Sequence, residues 1–242
     1  MKLLSRWFKN KPEKKGPAIQ SPPRVLVVII TSGAVEPRCF ESVLAQDHPS
    51  FAVMVHVLKP VEHVADCEAD RFFNIARNMN AARKLALASD CTHFVFVDSD
   101  IVLQPDALSS LLSHRKDIIG GWYRMIQSPL RVAGCWVADH TLYHCRPAPS
   151  VIKVDMVGHG CMLVSRGALE TLHFESGFDR VCRSEAGDCY LGPCAAFGNL
   201  AASKGFNLYM DGHVICGHID RSNGSIVGLD RPEEELIDAS HC

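Results

Sequence analysis

The sequence predicts an α/β fold with a mainly parallel sheet flanked by helices and a smaller mixed or antiparallel C-terminal part. Two observations predict it. Short runs rich in Val, Ile and Phe ("RVLVVIITSG", "FAVMVHVL", "THFVFVD") alternate with helical stretches ("EPRCFESVLAQ", "DRFFNIARNMNAARKLALAS") in β-α-β-α-β order. Such alternation implies parallel strands joined by helical crossovers, a Rossmann-like arrangement whose ligands bind beyond the carboxyl ends of the strands. Beyond about residue 117 the runs shorten to "DIIGGWY", "LRVAGCWV", "TLYHC" and "VIKVDMV", with Gly and His between them, as antiparallel or mixed strands do.

Each element carries its own signal. Pro37 sits near the first turn of the helix in "EPRCFESVLAQ", where its missing N–H is no loss. The long amphipathic "DRFFNIARNMNAARKLALAS" reads as the second helix, and Pro105 followed by "DALSSLL" as another helix start. "GHGCMLVSRGALETL" reads as strand then helix, "GDCYLGPCAAFGNLAASKGF" as a further helix, and "NLYMDGHVICGHI" as two short strands ending the ordered part. There is no internal repeat, and no Pro-rich or Ser-rich linker divides the chain, so residues 24–220 are expected to form one domain with halves 24–116 and 117–220.

At 242 residues and nearly half apolar, the chain has material for a sizeable core. The longest aliphatic run, Val25 to Ile30, is far shorter than the roughly 20 residues that cross a bilayer. The net charge of −2 argues against nucleic acid as a partner. Residues 1–23, together with Arg24, carry seven Lys or Arg against one Glu and run into "SPPR". That is a solvated basic arm, or, with Leu3, Leu4, Trp7 and Phe8, one that rests on an anionic membrane surface. The arm lacks the apolar centre and cleavage site of a signal peptide, so the expected location is cytoplasmic, with peripheral contact at a membrane's inner face as the variant. Residues 221–242 read as an acidic tail. The eleven cysteines lack the dense spacing of a disulfide scaffold and read as buried thiols.

Chemistry concentrates in "THFVFVDSDIVLQPDAL". Asp98 and Asp100 stand where an apolar strand surfaces, and an extended backbone projects residues i and i+2 to the same side. Two such anions repel, and a proton, a basic neighbour or a hard cation such as Mg²⁺ or Mn²⁺ relieves the repulsion. Turn formation and helix capping are the competing explanation of the same residues.

The order of "RVLVVIITSG", "ARNMNAARKLAL" with "FVFVDSD", "VDMVGHGCMLVSRGAL" and "GDCYLGPCAAFGNLAASKGFNLYMDGHVICGHI" resembles the family 2 glycosyltransferases, which have the GT-A fold. The likeness runs over about residues 24–220. It implies a nucleotide-binding half, 24–116, and an acceptor and metal-completing half, 117–220. It implies that Asp98 and Asp100 form an Asp-x-Asp motif meeting Mn²⁺ or Mg²⁺ and the diphosphate of a UDP- or GDP-sugar, with His218 completing the metal site. It further implies that Asp188, or Glu185, is the base that takes the acceptor's proton. The family usually has Glu directly before that Asp, whereas Gly187 stands here, so the choice between the two stays open, as does simple N-capping by Asp188. Thr31, Arg77 and Asn78 would meet base and ribose, although Arg77 also reads as an exposed helix charge. Gly158 and Gly160 fit close approach to a ligand or a bulge. Trp122 and Tyr123 are candidates for a sugar platform at the acceptor site, or for core. The acceptor would be a glycan, a lipid-linked group or a protein.

Two rivals share these residues. "VDSDIVL" also matches the Asp-x-Asp-x-Val pattern of haloacid-dehalogenase-type phosphatases, with Asp98 as nucleophile, but those enzymes ordinarily begin with that strand and need a downstream Lys and acid pair not evident here. The other is a non-catalytic sugar-nucleotide or carbohydrate-binding module, favoured by the altered spacing around Glu185 and Asp188.

Overall fold

The computed structural model describes residues 22–58, 68–126, 131–136, 142–144, 151–175, 177–184 and 187–228. Residues 1–21 of the basic arm and Glu185 lie outside the described residues. The chain begins β1 (Val25–Thr31), α1 (Pro37–Leu44), β2 (Phe51–Val57), α2 (Glu68–Leu87) and β3 (His93–Asp98). It continues with β4 (Ile101–Val102), α3 (Ala107–Ser113), β5 (Ile118–Trp122), β6 (Arg131–Trp136), β7 (Leu142–His144) and β8 (Val151–Val154). Next come β9 (Cys161–Ser165), α4 (Arg166–Thr171), β10 (Gly177–Ser184), β11 (Gly187–Leu191) and α5 (Pro193–Ser203). Strands β12 (Leu208–Ile215), β13 (Gly217–Ile219) and β14 (Ile226–Val227) complete the described fold.

Seven strands form one mixed sheet in the order β2-β1-β3-β9-β5-β12-β8. Strands β2, β1, β3, β5 and β12 run one way, and only β9 and β8 run against them. Every residue of β1 is buried, as expected of a strand covered on both faces. Its alternate side chains enter different cores. Leu26, Val28 and Ile30 join Phe94 and Phe96 of β3 beneath α2, α4 and α5, while Val25, Val27 and Ile29 join Val95 and Val97 beside α1 and α3. The 2-residue period of the pleat thus divides a continuous apolar run between two helical layers.

The motif "ARNMNAARKLAL" lies on α2 and is used to build this layer. Asn80 donates to the Phe174 carbonyl at 2.6 Å and accepts from the Phe174 amide at 3.0 Å. Arg83 donates to the carbonyls of Leu169 and Glu170, fixing α4. In return Arg166 of α4 donates to Leu87, Ser89 and Cys91 carbonyls and places a cation at the C-terminal end of α2, where helix carbonyls lack partners. At Gly198 in α5 an added Cβ would meet the Asp155 carbonyl oxygen at 2.2 Å. Only a glycine lets the helix approach the backbone that closely.

Two expectations are corrected here. "GDCYLGPCAAFGNLAASKGF" is not one helix: Gly187–Leu191 is a strand, β11, paired antiparallel with β10, and α5 begins at Pro193 after the N-cap Gly192. Proline at the first helical position and the Gly before it set that start, so the N-cap of α5 is Gly192 and not Asp188. The ordered part also continues past residue 220. Residues 220–225 form the loop of a hairpin between β13 and β14, which pairs through His218 with Val227 and Ile219 with Ile226. Residues 229–242 lie outside the described residues.

Candidate active site at the carboxyl edge of the sheet

Strands β1, β3 and β5 end at one edge of the sheet, as their parallel register requires: Ile30 of β1 faces Asp98 of β3. A second, three-stranded antiparallel sheet, β14-β13-β4, sits at this edge because β4 follows β3 almost directly and β13 follows β12. The cross-strand pair of β13 and β4 sets His218 opposite Ile101. The Ile219 amide donates to the Asp100 carbonyl at 2.8 Å, and the Glu36 amide to the Ser99 carbonyl at 2.9 Å. Residues distant in the chain therefore meet on a backbone frame.

His218 Nε2 lies 3.7 Å from Asp100 Oδ1. Its Nδ1 is 2.8 Å from the Arg124 carbonyl oxygen. A carbonyl can only accept, so Nδ1 carries the proton, and in the neutral ring the lone pair is on Nε2, facing the carboxylate. The ring packs edge-on to Tyr123, with centroids 5.9 Å apart. On the other side, Arg221 Nε stands 3.4 Å from Asp100 Oδ2 and 3.6 Å from Glu36 Oε1. Burial first, and the charge of Asp100 second, push the half-buried Asp98 carboxyl up to about 7. Burial likewise pushes the neighbouring Cys39 and Cys194 thiols up to about 12, which disfavours the thiolate.

The other predicted residues take varied places. Thr31 is buried, donates to the Ala34 carbonyl at 3.0 Å and accepts from the Gly33 amide at 3.1 Å, so it shapes the loop leading to Glu36. Arg77 is exposed on α2, whereas Asn78 is buried and donates to the Asn74 carbonyl of its own helix. Gly158 is buried in the β8–β9 connection. Gly160 answers the choice left open for it: an added Cβ would lie 2.7 Å from the Tyr123 ring carbon and hydroxyl, and its amide donates to that hydroxyl at 3.0 Å. The close approach is to a side chain of the protein itself. Trp122 and Tyr123 are 1% and 4% exposed, one in each core. A platform needs an open ring face, so the core explanation replaces the sugar-platform one. Asp188 is on β11 opposite Arg183 of β10, and Glu185 lies outside the described residues.

Sequence reasoning missed Arg221 and Glu36. For Arg221 a signal existed: "DRSNGS" between "GHI" and "IVG" is a turn composition between short apolar runs, hence a hairpin loop and not a tail.

Among the described residues no group of three His, Cys, Asp or Glu is arranged to hold a metal ion. Asp100 and His218 make a two-ligand set of carboxylate oxygen and neutral imidazole nitrogen, a donor chemistry that suits Mn²⁺ and accepts Mg²⁺. No family model matches the chain, and neither does any curated protein. Among solved structures, A197 from STIV aligns with a TM-score of 0.53 at 13% identity, covering 86% of this chain and 95% of that one. That likeness shows a shared fold alone. S. aureus TarS aligns with a TM-score of 0.41 at 14% identity, over 63% of this chain and 30% of TarS. Its 1–349 fragment gives 0.36 at 16% identity, over 63% of this chain and 50% of the fragment. Neither TarS alignment is close enough to carry an argument. No helix among the described residues is long and apolar enough to cross a membrane.

Proposed function

We propose that this chain is a metal-dependent glycosyltransferase of the GT-A type, moving a sugar from a nucleotide diphosphosugar to an acceptor hydroxyl. The observation that carries the reading is His218 Nε2 facing Asp100 across 3.7 Å with its Nδ1 tied to the Arg124 carbonyl. Two electron-pair donors aimed at each other on a rigid frame favour a cation between them. The position, beyond the carboxyl ends of parallel strands, is where such sheets bind ligands.

Asp100 and His218 would hold Mn²⁺ or Mg²⁺, with Asp98 beside them. When bound, the ion supplies Lewis-acid stabilisation of the charge that gathers on the diphosphate as it leaves. The Thr31–Glu36 loop lies at the same edge and would border the donor of the UDP- or GDP-sugar. An acceptor oxygen attacks the anomeric carbon, the bond from that carbon to phosphate oxygen breaks, and a carboxylate receives the hydroxyl proton. Asp188 keeps that role as a proposal, on β11 ahead of α5 and not at a helix start, and Glu185, outside the described residues, stays the alternative. A glycan, lipid-linked or protein acceptor fits the chemistry equally, and the basic arm would serve a membrane-borne one.

A thermal-shift screen of UDP- and GDP-sugars with and without Mn²⁺ tests the reading, since a ligand that binds the native state raises its melting temperature. The expected result is a donor-dependent rise that needs Mn²⁺ and vanishes in Asp100→Ala and His218→Ala. A rise that persists in both variants refutes the assigned site. Release of phosphate from generic phosphate esters, without sugar-nucleotide binding, would favour the phosphatase instead.

A further inference from the structure

We propose that Arg221 is the resident counter-cation of the Asp100 site, which a divalent cation displaces and which then turns to the anionic ligand. The inference rests on the metal reading above. Asp100 offers its two oxygens to two different groups: Oδ1 to His218 at 3.7 Å and Oδ2 to Arg221 at 3.4 Å. The guanidinium is also shared with Glu36 at 3.6 Å and donates to Ser99 Oγ at 2.7 Å and the Ala34 carbonyl at 3.5 Å. Arg221 thus neutralises an anionic corner where Asp100 and Glu36 meet.

A dication on Asp100 would stand within a few ångströms of that fixed positive charge. Like charges at such range disfavour each other, so the ion and Arg221 compete for the same carboxylate. Arg221 is 39% exposed, and its ion pairs to Asp100 and Glu36, at 3.4 and 3.6 Å, are looser contacts than its 2.7 Å bond to Ser99 Oγ, so they are the ones an ion would displace.

The backbone beneath it is held. Asp220 accepts from the Ser222 amide at 2.9 Å and its hydroxyl at 2.6 Å, Gly224 N donates to the Asp220 carbonyl at 2.6 Å, and the Arg38 guanidinium donates to the Gly224 carbonyl. A planar five-donor group released at the rim of the site matches the paired oxygens of a diphosphate, which bind Arg in bidentate fashion. Arg221 would therefore oppose the free ion and assist the diphosphate.

The test measures Mn²⁺ binding by electron paramagnetic resonance, without nucleotide, in wild type, Arg221→Gln and Arg221→Lys. Binding of UDP and GDP at saturating Mn²⁺ follows by calorimetry. Arg221→Gln should bind Mn²⁺ about fivefold tighter and the better nucleotide about fivefold weaker, while Arg221→Lys stays near wild type in Mn²⁺ affinity. Equal or weaker Mn²⁺ binding in the Gln variant overturns the inference and leaves the metal reading standing. Absence of Mn²⁺ binding in wild type and variant alike overturns both. A second measurement uses the unaltered protein: Mn²⁺ should increase modification of Arg221 by phenylglyoxal, read by peptide mass spectrometry. Unchanged modification despite bound Mn²⁺ overturns the displacement.

Discussion

His159 shows how one buried side chain writes a pH dependence into stability. It is 5% exposed, edge-on to Phe174 at 5.1 Å, and its Nε2 has no hydrogen-bond partner among the described residues. Burial lowers its pKa from the ordinary 6.5 to about 4. Between those values the unfolded chain binds a proton that the folded chain refuses. Its contribution is therefore fully present above pH 6.5 and is lost as pH falls toward about 4, by up to about 3 kcal/mol. Urea unfolding of His159→Leu at pH 7.5 and pH 5 should show a smaller acid loss than wild type; equal losses would refute it. Gly160 supplies a steric counterpart. Gly160→Ala drives a methyl into Tyr123 and should cost about 1–3 kcal/mol in the same assay. From sequence, Asp98 and Asp100 could be named because carboxylates at a strand exit are a local pattern, whereas His218, one of 12 histidines, was singled out by the family resemblance alone. Whether Gly160 met a ligand or a tyrosine was not legible, since its neighbour is 37 residues away.

Among elements, regular ones announced themselves. β1, α1, β2, α2 and β3 have apolar periods and end signals within a few residues of where the sequence put them. Of the helix expected over residues 187–206, Gly187–Leu191 is a strand: Ala, Leu and Phe after "GDCYLG" continue a helical composition backward, while strand pairing of β11 with β10 depends on a partner the period cannot see. Arg166 joins two elements that the sequence listed separately. Arg166→Ala removes three donors from the end of α2 and should destabilise by about 1–3 kcal/mol, measured by urea unfolding. Arg166→Lys should recover only part of that loss, because one ammonium cannot serve carbonyls set apart as Leu87, Ser89 and Cys91 are.

At the scale of the molecule, the predicted halves share one sheet. β9, from the second half, lies between β3 and β5 and pairs with both. Neither side of the sheet closes without it. Unfolding in urea should therefore be a single transition, with far-UV circular dichroism and tryptophan fluorescence coinciding. Separate midpoints would show that the two halves open independently.

Composition and periodicity by themselves determined the α/β class, the parallel start and the acids at a strand exit, since these follow from spacing along the chain. Tertiary structure alone decided the strand order, the burial of Trp122 and Tyr123, and the arrival of Arg221 and Glu36 beside Asp100. The reason is physical: a local pattern reports which face of an element is apolar, whereas a site made of residues 36, 100, 218 and 221 exists only where long-range pairing closes the chain on itself.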